Sequence, residues 1–439
     1  MKKISIVGSG LVGSLLAIYL SKRGHKVNVF EQRSDLRTQS VSTGRSINLS
    51  LSTRGWNALK KVGVDKEVKE IALPMYKRTM HSVEGKISHQ YYGKKNQAIF
   101  STSRSELNKI LLNNAERNGV KINFNSTCLS LNLNTAEAEF KSANKISIVK
   151  SDHIFGADGA NSIVRKKLAK QLNLKNEVKF INYSYKELTI PAKKGKHLLD
   201  KESLHIWPRK RFMLIALPNL DGSFTCTLFL PTTGNNSFEA LSTSKKVLGF
   251  FTKYFNDMVS VSPSLIDDFF NNPTSKLGIV DCYPWVYKDK VALLGDSAHA
   301  IVPFYGQGMN SGFEDCFILN EILNKNDFEQ SFYDFQKVRK PNADAISQLS
   351  LDNFIVMRDK TSDPDFLLQK DIEYWFSNLY PDKWIPLYSM VTFTNKPYSG
   401  ALDIGKKQAL IMKEVLSKID VTKNWQTKKT ENLILSYLN

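Results

Sequence analysis

The residues best placed to do chemistry begin at Gly8. The run Gly8-Ser9-Gly10-Leu11-Val12-Gly13 follows an apolar stretch, Ile4 to Val7, and precedes a helix-patterned one, Leu15 to Leu20. Glycines at this spacing have separate uses. The first permits a tight turn, the second lets backbone approach a pyrophosphate, and the third lets helix pack closely on strand. The N–H groups that open the helix then face the phosphates. A second strand-like run, Lys26 to Phe30, ends at Glu31, about 20 residues past the turn, where a carboxylate accepts both hydroxyls of an adenosine ribose. A 2′-phosphate would be repelled there, so the unit predicts FAD or NAD in this first site rather than NADP. Lys2-Lys3 followed by apolar residues to Leu20 also imitates a secretory signal peptide. The glycine spacing and the acid closing a second strand argue instead for a folded unit.

Two further turns have related chemistry. Gly156-Ala157-Asp158-Gly159 follows the strand-like Asp152 to Phe155 and precedes the helical Ile163 to Leu168, and Gly295-Asp296-Ser297-Ala298-His299 follows the apolar Val291 to Leu294. Taken singly, each reads equally well as a strand end whose Asp or Ser caps a helix. Likewise Arg78 alone reads as a surface residue of a strand, Tyr92 and Tyr388 as half-buried packing residues, and Asn353 as an exposed amide on a helix.

Taken together and in order, the three turns resemble the GxGxxG, DG and GD fingerprints of the group A flavoprotein aromatic hydroxylases. The likeness extends over most of the chain through Gly44-Arg45-Ser46-Ile47-Asn48-Leu49, Ser103-Arg104-Ser105-Glu106-Leu107-Asn108-Lys109, Phe224-Thr225-Cys226-Thr227-Leu228-Phe229 and Pro386-Leu387-Tyr388-Ser389-Met390. What the resemblance implies is a monooxygenase that binds FAD, takes NADPH as co-substrate, captures O₂ at the flavin C4a atom and hydroxylates an aromatic ring. Its implied cofactor contacts are Gly8, Gly10, Val12, Gly13, Glu31, Arg33, Arg45, Ser50, Arg104, Cys128, Asp158, Asp296, Gly308, Met309 and Asn310. The run Pro303-Phe304-Tyr305-Gly306-Gln307-Gly308 looks like the loop that cradles the isoalloxazine, with the following helix pointing its positive end at the flavin pyrimidine.

The implied substrate is an α-amino acid with an aminophenyl ketone tail, which needs a carboxylate clamp at one end of a pocket and an apolar slot at the other. Arg78 is the expected clamp, since a guanidinium grips a carboxylate with two parallel hydrogen bonds. The resemblance adds Tyr92 and Tyr388 as phenol donors and Asn353 near the amino-acid head. Met357, one helical turn beyond Asn353, would face the same pocket. Phe304 and Leu228 are weaker expectations as ring neighbours. No protein acid or base is assigned; His299 is expected to be structural. Ser297 and Tyr305 stand where relatives often carry Ala and Phe.

The elements that must position these residues imply an α/β fold: a Rossmann-like FAD-binding domain with an antiparallel-sheet substrate domain and a helical C-terminal region. The expected division is 1–75, 99–178 and 271–330 for the FAD-binding domain, 76–98 and 179–270 for the substrate-binding sheet, and 331–439 for the helical region. A chain of 439 residues with 42% hydrophobic and 23% charged residues is ordinary for a soluble globular protein of two or three packed units. The net charge of +19 is spread along the chain without a basic arm, so a solvated surface is expected, with no nucleic-acid partner. Four cysteines with no CxxC pair suggest neither a metal site nor a redox dithiol and point to a reducing cytoplasm. No window reaches the roughly 18 to 20 apolar residues of a spanning helix, and the C-terminal tail is too polar for an anchor, which favours a soluble bacterial-type enzyme. Two alternatives stay open: a same-fold hydroxylase of another aromatic acid, and a non-catalytic FAD-binding redox module. A flavin-dependent halogenase would be expected to show a WxWxIP segment, which is missing here.

Overall fold

The structure is a computed structural model that describes residues 1–38, 48–92, 96–174, 176–360, 363–420 and 424–438. The strand Lys3–Val7 runs through the middle of a six-stranded sheet, parallel to Lys26–Phe30 on one side and to His153–Gly156 on the other. Lys121–Asn123 and Val291–Leu293 extend the parallel array outward, and the short Val286–Tyr287 closes one edge antiparallel. Ile4, Ile6, Val27, Val29, Ile154, Phe155, Val291 and Leu293 are all buried, as expected of parallel strands covered on both faces.

Helix Leu11–Lys22 is buried along most of its length because it packs against this sheet and against two other helices, Arg104–Arg117 and Gly308–Leu323. The register matters for function. Val7 lies opposite Gly156, and Gly156 opposite Leu293, so the three fingerprint turns leave neighbouring strands at the same carboxyl edge. That edge is where open α/β sheets bind ligands.

A seven-stranded sheet forms the second layer, in the order Ser275–Val280, Val178–Ile190, Phe224–Pro231, Met213–Pro218, Ser203–Pro208, Lys77–His81 and Ile87–Tyr91. Only the Ser203–Pro208 and Lys77–His81 pair is parallel. Alternate residues separate its two faces. Leu214, Ala216, Cys226, Leu228 and Leu230 pack under the helices of residues 244–271. Met213, Leu217, Phe229 and Leu204 turn to the opposite side, together with Phe304, Phe354 and Met357. Strand Ser275–Val280 differs from the expected division, which grouped residues from 271 with the FAD-binding segments: it pairs along Val178–Ile190, because Leu277 and Ile279 complete the apolar cluster on that second face.

From Phe328 onward the elements among the described residues are all helices. Helix Phe328–Ile355 leads into a π-helical turn, Val356–Lys360, and is followed by Pro364–Leu379, Leu387–Phe393, Tyr398–Lys418 and Lys428–Leu438. The mixed α/β architecture with a helical C-terminal region agrees with the fold class read from the sequence.

Candidate functional site

At the first turn the three glycines have different surroundings. Gly8 takes φ +101°, and a Cβ there would sit 2.5 Å from the Ala157 carbonyl oxygen. A Cβ on Gly13 would sit 2.0 Å from the Gly8 carbonyl oxygen, whereas one on Gly10 would meet nothing within 4 Å. Gly8 and Gly13 are thus demanded by packing, while Gly10 leaves open space at the start of the helix. Glu31 lies beside this turn, 4% exposed, accepting from the Ser9 amide at 2.9 Å, the Ser9 hydroxyl at 3.1 Å and Arg33 Nε at 2.8 Å. Burial pushes its carboxyl up, but the bonds from Arg33 and Ser9 outweigh that and hold it below its ordinary value.

Asp158 caps the next helix, its Oδ2 accepting from the amides of Ile163 at 2.7 Å and Val164 at 3.3 Å. Its Oδ1 is buried with no partner, and burial raises its pKa. Cys128 is close by, its thiol pushed up to about 12 by burial and by Asp158. Gly295, with φ +59°, packs against Val12, which puts the exposed Asp296 near the first helix. Arg104 opens its helix and is exposed. Arg45 lies outside the described residues.

The loop at 303–307 is held on several sides. Asn310, fully buried, accepts from the Ser52 amide at 2.9 Å and donates to the carbonyls of Ser50 at 2.8 Å and Gly306 at 2.9 Å. Gln307 accepts from the Tyr398 hydroxyl at 2.9 Å. Asn353 donates to the Phe304 carbonyl at 2.6 Å and lies 3.3 Å from the Met357 sulfur. Gly308 and Met309 begin the helix behind this loop. An open space at Gly10 and an unmatched acceptor on Asp158 at the carboxyl edge of the parallel sheet fit a phosphorylated, hydroxyl-bearing cofactor such as FAD.

Next to the loop is a cavity with an empty volume of about 560 Å³, its mouth included, walled by Ser50, Arg78, Met213, Phe229, Pro303, Phe304, Tyr305, Gly306, Gln307, Met357 and Tyr388 among others. Arg78 projects from the Lys77–His81 strand. Its guanidinium carbon is 4.2 Å from the Tyr388 ring centroid and 5.4 Å from that of Tyr92. Among the described residues no carboxylate pairs with it, and its Nε is buried without a hydrogen-bond partner. Burial opposes its charge, but the Tyr388 and Tyr92 hydroxyls more than offset this and keep its pKa above the ordinary value. Tyr92 is also buried, with its hydroxyl unpartnered.

The cavity brings Arg78, Met357, Tyr388 and the 303–307 loop together; Tyr92 stacks behind Tyr388, and the Asn353 amide reaches loop backbone. Leu228 requires a correction. It is fully buried in the cluster under helices 244–271, because one residue along a strand reverses the face, and its neighbour Phe229 lines the cavity instead. His299 is buried, with Nε2 2.6 Å from Asp315. Asp315 belongs to a buried ion network that sequence reading missed. Arg339 binds Asp315 at 2.7 Å and Glu314 at 2.6 Å, and Glu314 also pairs with Arg54. Arg54 bonds the carbonyls of Val391 and Lys396 and sits 3.9 Å from the Tyr398 ring centroid.

A family model described as "FAD binding domain" matches residues 1–224 and 283–326, more than half of the chain. A kynurenine 3-monooxygenase of Flavobacterium johnsoniae is 51% identical, over 99% of this chain and 98% of the relative. The enzyme of that name from Myxococcus xanthus is 42% identical over 99% of this chain and 95% of its own. Among solved structures, 2-methyl-3-hydroxypyridine-5-carboxylic acid oxygenase in its tetrameric form has a TM-score of 0.67 at 20% identity, covering 83% of this chain and 94% of that one. A probable FAD-dependent monooxygenase from Pseudomonas aeruginosa has a TM-score of 0.66 at 18% identity, covering 82% and 97%. At such identities the structures bear on the fold alone, and they share the aromatic hydroxylase fold.

Proposed function

The chain belongs to the kynurenine 3-monooxygenases of the FAD-dependent aromatic hydroxylases, and from that membership we propose how its own residues serve the reaction. It hydroxylates L-kynurenine to 3-hydroxy-L-kynurenine with NADPH and O₂. Bound FAD supplies the redox chemistry, taking reducing equivalents from NADPH and activating O₂. The residues that would hold FAD are the Gly8, Gly10, Val12 and Gly13 turn, Glu31 and Arg33 at the ribose, Asp158 and Asp296 at the sheet edge, Ser50, Arg104 and Cys128 nearby, and Gly308, Met309 and Asn310 behind the loop.

The observation that carries the substrate reading is the Arg78 guanidinium, set against the Tyr388 and Tyr92 rings in a cavity wall with no carboxylate paired to it among the described residues. A charge so placed favours an anionic partner strongly. Arg78 grips the substrate carboxylate, Tyr388 and Tyr92 support it, and Asn353 fixes the Phe304 backbone so that the loop keeps its shape. The apolar wall of Met213, Phe229 and Met357 accepts the aminophenyl ring and keeps water from the reacting carbon. The ring needs no protein base, because its own amino nitrogen donates electron density to the ortho carbon that takes up oxygen.

The domain limits are proposed as expected, with the substrate sheet extended to include Ser275–Val280. A cytoplasmic location is supported by four cysteines that are all free; among the described residues no helix is long and apolar enough to cross a membrane. Anaerobic mixing of the FAD-bound protein with NADPH tests the reading. L-Kynurenine is expected to accelerate flavin reduction, and an unchanged rate would contradict the substrate assignment.

A further inference from the structure

Tyr305 sits in the flavin loop yet shares an aromatic stack with the clamp. Its ring is nearly parallel to that of Tyr388, with centroids 5.5 Å apart and planes 17° off, and Tyr388 stacks in turn on Tyr92 at 5.4 Å and 14°. Arg78 lies against the middle and far rings of this stack. Three phenols from separate stretches of chain are therefore gathered about one cation that no carboxylate pairs with among the described residues. Tyr305 is 7% exposed and shares the cavity wall with Arg78 and Tyr388.

Packing does not account for the oxygen. The ring belongs to a buried cluster with Ile346, Leu349, Met390, Val391 and Tyr398, where phenylalanine would fill the same volume, and a buried hydroxyl is costly unless something meets it. Burial and the Tyr388 hydroxyl hold its pKa above the ordinary value against the opposing charge of Arg78, so at neutral pH the group is an intact O–H donor.

We propose that Tyr305 is a specificity-determining residue of this chain, its hydroxyl donating a hydrogen bond to the substrate carboxylate seated on Arg78. This rests on the reading of Arg78 as the carboxylate clamp. The same bond ties occupancy of the clamp to the loop that carries Gly306 and Gln307.

The test uses FAD-loaded wild type and Tyr305→Phe, titrated with L-kynurenine and with its decarboxylated amine while the visible flavin spectrum is followed. Loss of one hydrogen bond to a charged group is expected to weaken the acid by about tenfold and leave the amine unchanged, with the FAD content of the variant equal to that of wild type. An undiminished affinity for the acid, or equal losses for both ligands, overturns the assignment. If Tyr305→Phe fails to retain FAD, Tyr305→Met replaces it with the same acid-selective loss expected. Wild type that binds acid and amine equally would instead refute the Arg78 clamp, and the Tyr305 assignment would fall with it.

Discussion

At the scale of single residues, Arg78 is an expensive group to keep in a folded protein without a ligand. A guanidinium whose Nε is buried and unpartnered stabilises little until a carboxylate arrives. Arg78→Ala is expected to retain FAD and to lose about 3 kcal/mol of kynurenine affinity, roughly a hundredfold in Kd. Unchanged affinity in that variant would remove Arg78 from the site. A second residue governs acid stability. Burial pushes His205 down from 6.5 to about 4, against its bond to the Asp200 carbonyl, with His81 lowering it further. Between those values the unfolded chain binds a proton that the folded chain refuses, so stability falls as pH drops, by about 1.4 kcal/mol per pH unit from this group. His205→Gln is expected to flatten urea-unfolding stability between pH 6.5 and 4; an unaltered slope would contradict this. Arg78 was legible only through its sequence block, since spacing alone leaves a strand arginine on the surface. Leu228 shares the face of Phe224, Cys226 and Leu230, which alternate with Thr225 and Thr227, so the strand's period already marked it as a covered core residue, and only its match to a family block suggested the ring.

At the scale of elements, the first strand, turn and helix were legible almost entirely. Gly8 and Gly13 each answer to a separate steric demand that the geometry shows, while Gly10 leaves the start of the helix open. Gly13→Ala is expected to cost about 3 kcal/mol, because the added carbon would strike Gly8 backbone rather than a side chain able to move. Gly10→Ala meets open space and is expected to change stability without ligand by at most about 1 kcal/mol while weakening FAD binding. Thermal unfolding paired with FAD titration separates the two, and equal behaviour of both variants would contradict the distinction. Strand Ser275–Val280 was not legible as part of the second sheet, since its partner, Val178–Ile190, is remote in sequence and pairing across such a distance leaves no local signal.

At the scale of the whole molecule, the buried network of ion pairs and hydrogen bonds joining Arg54, Glu314, Arg339, Asp315 and His299 ties the C-terminal helices to the flavin loop and to the third fingerprint turn. Asp315 accepts the Gly295 amide at 2.9 Å, and Tyr398 meets both Arg54 and Gln307. Arg339→Ala would leave buried Glu314 with Arg54 as its only cation and take the guanidinium from buried Asp315, which is expected to cost about 3 kcal/mol, with FAD affinity falling in parallel; a variant as stable as wild type in thermal unfolding would show that the network bears no such burden. None of this was readable beforehand, because Arg54 and Glu314 are 260 positions apart and each alone looks like a surface charge. The most direct measurement of the central claim is mass spectrometry of the product formed from L-kynurenine, NADPH and the FAD-bound protein under isotopically heavy O₂. One heavy oxygen atom on the aromatic ring is the expected result. NADPH consumed with only hydrogen peroxide formed, and kynurenine recovered unchanged, would contradict it.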